Sequence, residues 1–393
     1  MTSTPCVSLG LEEWLQMPPS LSRRRIGLLS NSASLDHHLV HARQRLFEAY
    51  GERLTALFSP QHGFYAEKQD NMVESADRRD PLLGIPLFSL YSRTRQPTAE
   101  MFDRIDTLLV DLQDAGTRVY TFIYTLSYCM EAARRLSKQV IVLDRPNPVG
   151  GAAIEGGCLK PEWSSFVGRY PIPMRHGLTI GELARLFNDA FGIGCDLEVI
   201  PMRGWRRDML FADTGLPWIA PSPNLPTPVS AIVYPGQVIW EGTNMSEGRG
   251  TTQPFEFFGA PFLDPTRILD VMGGRDAGGA ILRPIEFEPT SNKWQGEICR
   301  GFQIHVTDAR RFRPYATSLR LLRAVMQCHP DRFAWKSPPY EYEYERLPID
   351  LILGDSRIRE RLAAGEAVES LEAEWQTEIE AFDTLRRRYL LYA

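Results

Sequence analysis

Five short apolar runs, each passing into a polar loop and separated by helix-like stretches, limit what the first half of this chain can become. The runs are Arg25–Asn31, Arg53–Ser59, Asp106–Gln113, Gln139–Arg145 and Asp196–Pro201. Between them, Leu39–Tyr50, Tyr120–Leu136 and Thr179–Phe191 carry helical apolar spacing. Thr179 with Glu182 makes a capping box at the start of the third helix. Runs apolar throughout, alternating with helices, predict an α/β fold: a Rossmann-like, mainly parallel sheet flanked by helices on both faces. Ligands of such sheets sit beyond the carboxyl ends of the strands. That rim gathers Ser59–Gly63, Gln113–Thr117, Asp144–Pro148 and Arg203–Trp205.

The organisation changes at the proline-rich stretch 221–228, PSPNLPTP. Residues 1–225 read as the Rossmann-like domain. Residues 226–393 read as a smaller auxiliary α+β domain, with the active-site cleft at the interface. In the second part, Ala231–Trp240 reads as a strand turning at Pro235–Gly236, and Gly301–Thr307 as another strand. Tyr315–Cys328 and Leu371–Leu390 read as helices, and Tyr340–Tyr344 (YEYEY) as a short surface strand.

Composition excludes several function classes. A net charge of −5 opposes binding a polyanion by bulk electrostatics, so no nucleic acid is expected. The basic cluster Arg23–Arg25 reads as the flank of a buried strand. No run approaches the roughly 20 apolar residues of a membrane helix, so no membrane insertion is expected. No secretory leader is visible at the start, and the six cysteines, Cys6, Cys129, Cys158, Cys195, Cys299 and Cys328, form no CxxC pair. A cytoplasmic protein with reduced thiols is the expectation. His37, His38 and His41 cluster without a carboxylate partner and read as a solvated helix face, so no metal is expected. Nucleotide fingerprints are missing after the first strand, and no cofactor is expected.

The loop EGTNMSEGRGTTQPFE places Glu241, Glu247 and Glu256 beside Arg249. Glycosidic cleavage needs one carboxyl as acid and another as base or nucleophile. Burial behind an apolar segment would suit Glu241 to the acid role; capping of backbone amides and a local Glu247–Arg249 ion pair explain the same residues without chemistry. His62, at a strand end, reads as a proton shuttle, a sugar-binding donor or a structural histidine, and His176 faces the same choice. Asp144, Arg145 and Asn147, in a turn stiffened by prolines, are good partners for sugar hydroxyls and also fit a tight connection.

Several longer strings belong together: SPQHGF (59–64), SLYSRTRQPT (89–98), DLQDAGTRVYTF (111–122), VLDRPNPVGG (142–151), EGGCLKPEWSSFVGRYPIPMRHGLTIGELA (155–184), PSPNLPT (221–227), YPG (234–236) and EGTNMSEGRGTTQPFEFFGAP (241–261). In these, from about residue 24 to the tyrosine-leucine motif near Tyr389–Tyr392, the chain resembles the exo-β-N-acetylmuramidase family, glycoside hydrolase family 171. The resemblance implies release of N-acetylmuramic acid from the non-reducing end of peptidoglycan fragments or disaccharides, in cell-wall turnover and recycling. It implies a small carbohydrate as partner, with the oligomeric state open.

Onto this sequence it carries Glu241, Glu247, His62 and Glu67 as catalytic candidates. Gln61, Asn71, Arg118, Tyr120, Asp144, Arg145, Asn147, Arg175, Asn224, Asn244 and Arg249 follow as substrate-binding candidates. The lactyl carboxylate of muramic acid calls for a guanidinium, with Arg118 or Arg249 first. One departure stands out: many members have Glu-His-Gly-Phe where this chain has Gln61-His62-Gly63-Phe64. Either Glu67, Asp70 or Glu74 takes over, or Glu241 and Glu247 carry the chemistry, or the protein binds muropeptides without cleaving them. A glycosidase for another amino sugar is the further alternative.

Overall fold

A computed structural model of the chain describes residues 7–19, 21 and 24–393; Cys6 and Arg23 lie outside the described residues. The strands in chain order are β1 Ile26–Ser30, β2 Leu54–Ser59, β3 Arg78–Arg79, β4 Pro86–Ser89, β5 Thr107–Asp111, β6 Gln139–Leu143, β7 Glu155–Cys158, β8 Pro173–Arg175, β9 Asp196–Ile200, β10 Phe257–Ala260, β11 Ala280–Phe287 and β12 Cys299–Val306. Seven form one sheet in the order β3-β4-β2-β1-β5-β6-β9, parallel except for the β3–β4 pair. The predicted Rossmann-like sheet is present, and β4 is a strand that the apolar pattern did not reveal.

Alternation along the strands explains the two covered faces. Leu28, Leu57, Leu109 and Ile141 join Leu11, Trp14 and Leu46 in one apolar cluster. Their neighbours Leu29, Phe58, Leu108, Val110, Val140 and Val142 point the other way, into a cluster with Phe122–Arg135 and Ile180–Asp189. The second cluster runs on without a break into Trp240, Phe258, Phe302 and Leu319 of the second half. There a three-stranded antiparallel sheet, β10-β12-β11, packs with several helices.

Two expectations need correction. Ala231–Trp240 is not a strand: Pro228–Gln237 is an α-helix, followed by a 3₁₀ turn over Val238–Gly242. Thr227 caps it by accepting from the Ser230 N–H at 3.0 Å, and Pro228 sits in its first turn, where a missing N–H costs nothing. Pro235–Gly236 makes a close helix contact rather than a turn, since a Cβ on Gly236 would come within 2.0 Å of the Pro314 carbonyl oxygen. Tyr340–Tyr344 is not a surface strand either. It is an irregular loop with one bridge between Tyr340 and Glu343, and Tyr340 and Glu341 are buried.

The helix expected from Leu39 begins at Ala42, because His41 turns inward as its cap and accepts from Arg43 N–H at 3.1 Å. Burial pushes the His41 imidazole down to about 3, so it is a neutral core group and not part of a solvated face. Arg25 pairs with Asp106 at 2.9 Å, which bears out its reading as a strand flank. Among the described residues no His, Cys, Asp or Glu cluster could hold a metal ion, and no helix is long and apolar enough to cross a membrane.

The C-terminal residues close the fold by returning to the first sheet. Tyr392 donates to Asp144 at 2.5 Å and accepts from Met202 N–H at 2.9 Å. Replacing Tyr392 with Phe strands both groups and is expected to cost about 1–3 kcal/mol in urea denaturation; an unchanged midpoint would remove this contact from the account of stability.

Candidate active site

The segments after β2, β5 and β9 meet three segments of the second half around one buried pocket. Its cavity volume is about 30 Å³, a tight space well below the roughly 300–1,000 Å³ typical of ligand clefts. Gln61 and His62 come from the β2 loop, and Tyr120 and Thr121 from the segment after β5. Glu241 comes from the 3₁₀ turn, Arg249 and Phe255 from the glycine-rich loop, and Tyr340 and Glu341 from the irregular loop. His62, Phe255 and Glu341 all have left-handed backbones, at φ 73°, 63° and 48°. Such strain persists only where surrounding contacts over-determine it, and it clusters at functional sites.

Two carboxyl groups inside the pocket have opposite electrostatic surroundings. Glu241 accepts from Arg249 at 2.6 Å, Tyr340 at 2.7 Å and Asn71 at 2.8 Å. Burial pushes its proton affinity up, but Arg249 and the other donors outweigh burial and hold it below the usual carboxylate range. Glu341 meets only neutral donors, the Gln61 amide at 2.9 Å and the Tyr91 hydroxyl at 2.6 Å. Burial dominates there and pushes it up to about 7. Thr121 donates to the Gln61 carbonyl oxygen at 2.7 Å, which turns the amide N–H₂ toward Glu341.

Arg249 also reaches Glu247 at 3.1 Å, and Lys293 donates to Glu247 at 2.8 Å. Glu241, Glu247, Arg249 and Lys293 therefore form a quartet that pairs two carboxylates with two cations, and neither cation bonds Glu341. His62 holds the Lys68 carbonyl with Nδ1 at 2.7 Å, and burial pushes the ring down to about 4. It faces the pocket as a neutral hydrogen-bonding group rather than as a cation. The Tyr120 hydroxyl, beside Ser222, is buried without a well-formed hydrogen bond, a vacancy suited to a polar ligand.

Of the residues named from sequence, Gln61, His62, Asn71, Tyr120, Asn224, Glu241 and Arg249 line this pocket. Glu247 instead lines an adjoining open cleft, held by its two cations. Glu67 is on the surface, pairing with Arg78 at 3.5 Å. Arg118 is fully buried elsewhere, donating to the Ile352 and Leu353 carbonyls at 2.9 Å each. Asp144 is consumed by Thr179, Gly181 and Tyr392, and Arg145 by Asp111 and the Leu35 carbonyl.

Asn147 donates to Leu178 O at 2.9 Å, Arg175 pairs with Glu155 at 3.0 Å, and Asn244 bonds Arg332 and Ala334 backbone. These groups hold loops together away from the pocket. His176 is a core residue, accepting from Leu178 N–H at 3.2 Å. Sequence reasoning missed Glu341, Tyr340, Tyr91 and Tyr234. The signal for the first two was the YEYEY string, whose carboxylates alternate with rings that can shield them.

A pocket pairing a carboxyl of lowered proton affinity with one of raised proton affinity is the equipment of a glycoside hydrolase. The chain belongs to the exo-β-N-acetylmuramidase NamZ family, matching its N-terminal domain over residues 26–229 and its C-terminal domain over 232–392. It is 42% identical over 389 residues to the peptidoglycan β-N-acetylmuramidase NamZ of Bacillus subtilis strain 168, covering 99% of this chain and 92% of that protein. Two crystal structures of DUF1343 family proteins from Bacteroides fragilis NCTC 9343 share the fold. One has a TM-score of 0.89 at 34% identity and the other 0.74 at 27%, each covering 98% of this chain and 99% of its own.

Arg249 lies between two buried carboxylates, and removing it leaves Glu241 without a cationic partner while Glu247 keeps Lys293. Arg249→Met is expected to destabilise the fold by about 3–5 kcal/mol, read from urea denaturation; a loss below about 1 kcal/mol would show that water reaches the quartet.

Proposed function

We propose that this protein is an exo-β-N-acetylmuramidase in which Glu341 and Glu241 carry the chemistry. It removes N-acetylmuramic acid from the non-reducing end of peptidoglycan fragments. The single observation behind the residue roles is the opposed electrostatics of the two carboxyls in one pocket. Glu341, still protonated near neutral pH, gives its proton to the glycosidic oxygen as the bond breaks. Glu241, ionised, faces the positive charge that develops on the sugar ring and acts as nucleophile or base. Gln61 then needs no acidity of its own: it binds and orients Glu341.

His62, Tyr120 and Asn224 supply hydrogen bonds to the sugar. Arg249, the other guanidinium expected for the lactyl carboxylate, lines the pocket but is already committed to Glu241 and Glu247.

A division into a Rossmann-like part and an auxiliary part near residue 225, with the cleft between them, is supported by the meeting of the two family domains between residues 229 and 232. A cytoplasmic setting, on imported fragments in wall recycling, is supported by the free thiols of Cys129, Cys158, Cys195, Cys299 and Cys328.

Release of N-acetylmuramic acid from a chromogenic β-N-acetylmuraminide, against the N-acetylglucosaminide, tests the activity. Turnover of the first alone is expected. Saturable binding without turnover would instead mark a muropeptide-binding protein.

Because the acid must hold its proton, kcat/KM should fall as pH rises through about 7. Glu341→Gln should lower kcat by roughly 10²–10⁴-fold while keeping the fold. Activity of that variant near the unmodified level would remove Glu341 from the acid role.

A further inference from the structure

The pocket adjoins a second, open cleft of about 240 Å³, and the two share a wall made by Asn71, Glu241, Arg249 and Tyr340. Glu241 thus stands on the partition between a tight chamber and a roomier cleft. The bond to be broken sits at the reacting carboxylates, and the cleft has the room for the saccharide that departs. Resting on the glycosidase reading above, the shared wall makes the open cleft the seat of the leaving saccharide.

The charges lining this cleft are unevenly used. Lys293 is saturated by Trp240 O, Met245 O and Glu247 at 2.7, 2.9 and 2.8 Å, and Arg249 is held by two carboxylates. Asp70 accepts from Asn292 at 3.0 Å. Lys336 is different. Its side chain is exposed on the cleft, its ammonium stands 5.7 Å from the centre of the Tyr340 ring, and among the described residues it has no ion-pair partner. Tyr340 in turn donates to Glu241, so this free cation is one aromatic ring removed from the reacting carboxylate.

We propose that Lys336 recognises a carboxylate carried by the leaving saccharide, making the open cleft selective for anionic fragments. In peptidoglycan that carboxylate comes from a free lactyl group or from a peptide stem, and both present the same chemistry to an ammonium.

The test uses the full-length protein and a trisaccharide of alternating amino sugars, modified only at its reducing-end muramic acid. The lactyl group is left free, capped as its methylamide, or extended with an alanyl-glutamate peptide. At low salt the unmodified protein should prefer the two anionic forms over the methylamide by about threefold to fivefold in kcat/KM, the scale of an exposed ion pair. Preference for only one anionic form identifies the source.

The preference should shrink toward unity in Lys336→Ala, reverse in Lys336→Glu, rise in Asp70→Asn, and fade at high salt. The same preference in the unmodified protein and in both Lys336 variants would overturn the proposal. Turnover of the chromogenic muraminide with no discrimination among the trisaccharides overturns this proposal alone. No turnover of any substrate overturns the glycosidase reading and this one with it.

Discussion

Arg249 is held between two buried carboxylates, 2.6 Å from Glu241 and 3.1 Å from Glu247, and Lys293 closes the quartet on the far side. Taking four charges out of water is tolerable only because they sum to zero and each finds several donors or acceptors. The glycine-rich loop owes its shape to this arrangement. Gly248 and Gly250, at φ 79° and 76°, bend the backbone so that Arg249 points inward between the two anions. The quartet also decides the charge of its neighbour. With Arg249 and Lys293 already matched, Glu341 is bonded only by amide and hydroxyl partners, and burial raises its proton affinity.

The site is an encounter between two structural styles. The parallel sheet supplies rigid strand ends, from which Gln61, His62 and Thr121 project. The second half supplies irregular backbone, which brings Glu241, Arg249, Tyr340 and Glu341 to the same point. A continuous apolar cluster beneath both halves fixes their relative position. That rigidity matters for a reaction whose two carboxyls must stay at a set separation. The C-terminal Tyr392, tied to Asp144 and Met202, locks the chain's end onto the sheet.

Several polar residues of the long recognisable strings turned out to serve the scaffold. Asp144, Arg145 and Asn147 sit in a loop that has little secondary structure to satisfy its backbone, so side chains do that work instead, and Arg175 at the end of β8 pairs with Glu155. Buried polar loops need such partners whether or not a ligand binds. A motif rich in acids, bases and amides at a strand end is thus ambiguous until its partners are seen. Glu67 shows the converse: a carboxylate six residues past a pocket residue was carried outward by the turn between them.

Periodicity was sufficient for five of the seven strands of the main sheet, β1, β2, β5, β6 and β9. A short apolar run fits a buried strand or a buried helix, as 231–240 shows, whereas Thr179 with Glu182 marked a helix start that the structure reproduces. Local pattern also pointed to Glu241 and Arg249, because a glycine-rich loop dense in charge has few structural uses. The pairing of Glu241 with Glu341 was invisible, since 99 residues separate Tyr340 from the carboxylate it bonds and 280 separate Glu341 from Gln61. YEYEY has the alternation of a strand, yet long-range burial and the left-handed turn at Glu341 and Tyr342 overrode it. Local sequence determined which segments could be strands, helices and polar rims. Only tertiary structure decided which carboxyl keeps its proton, because proton affinity depends on burial and on where the nearest uncommitted cation lies.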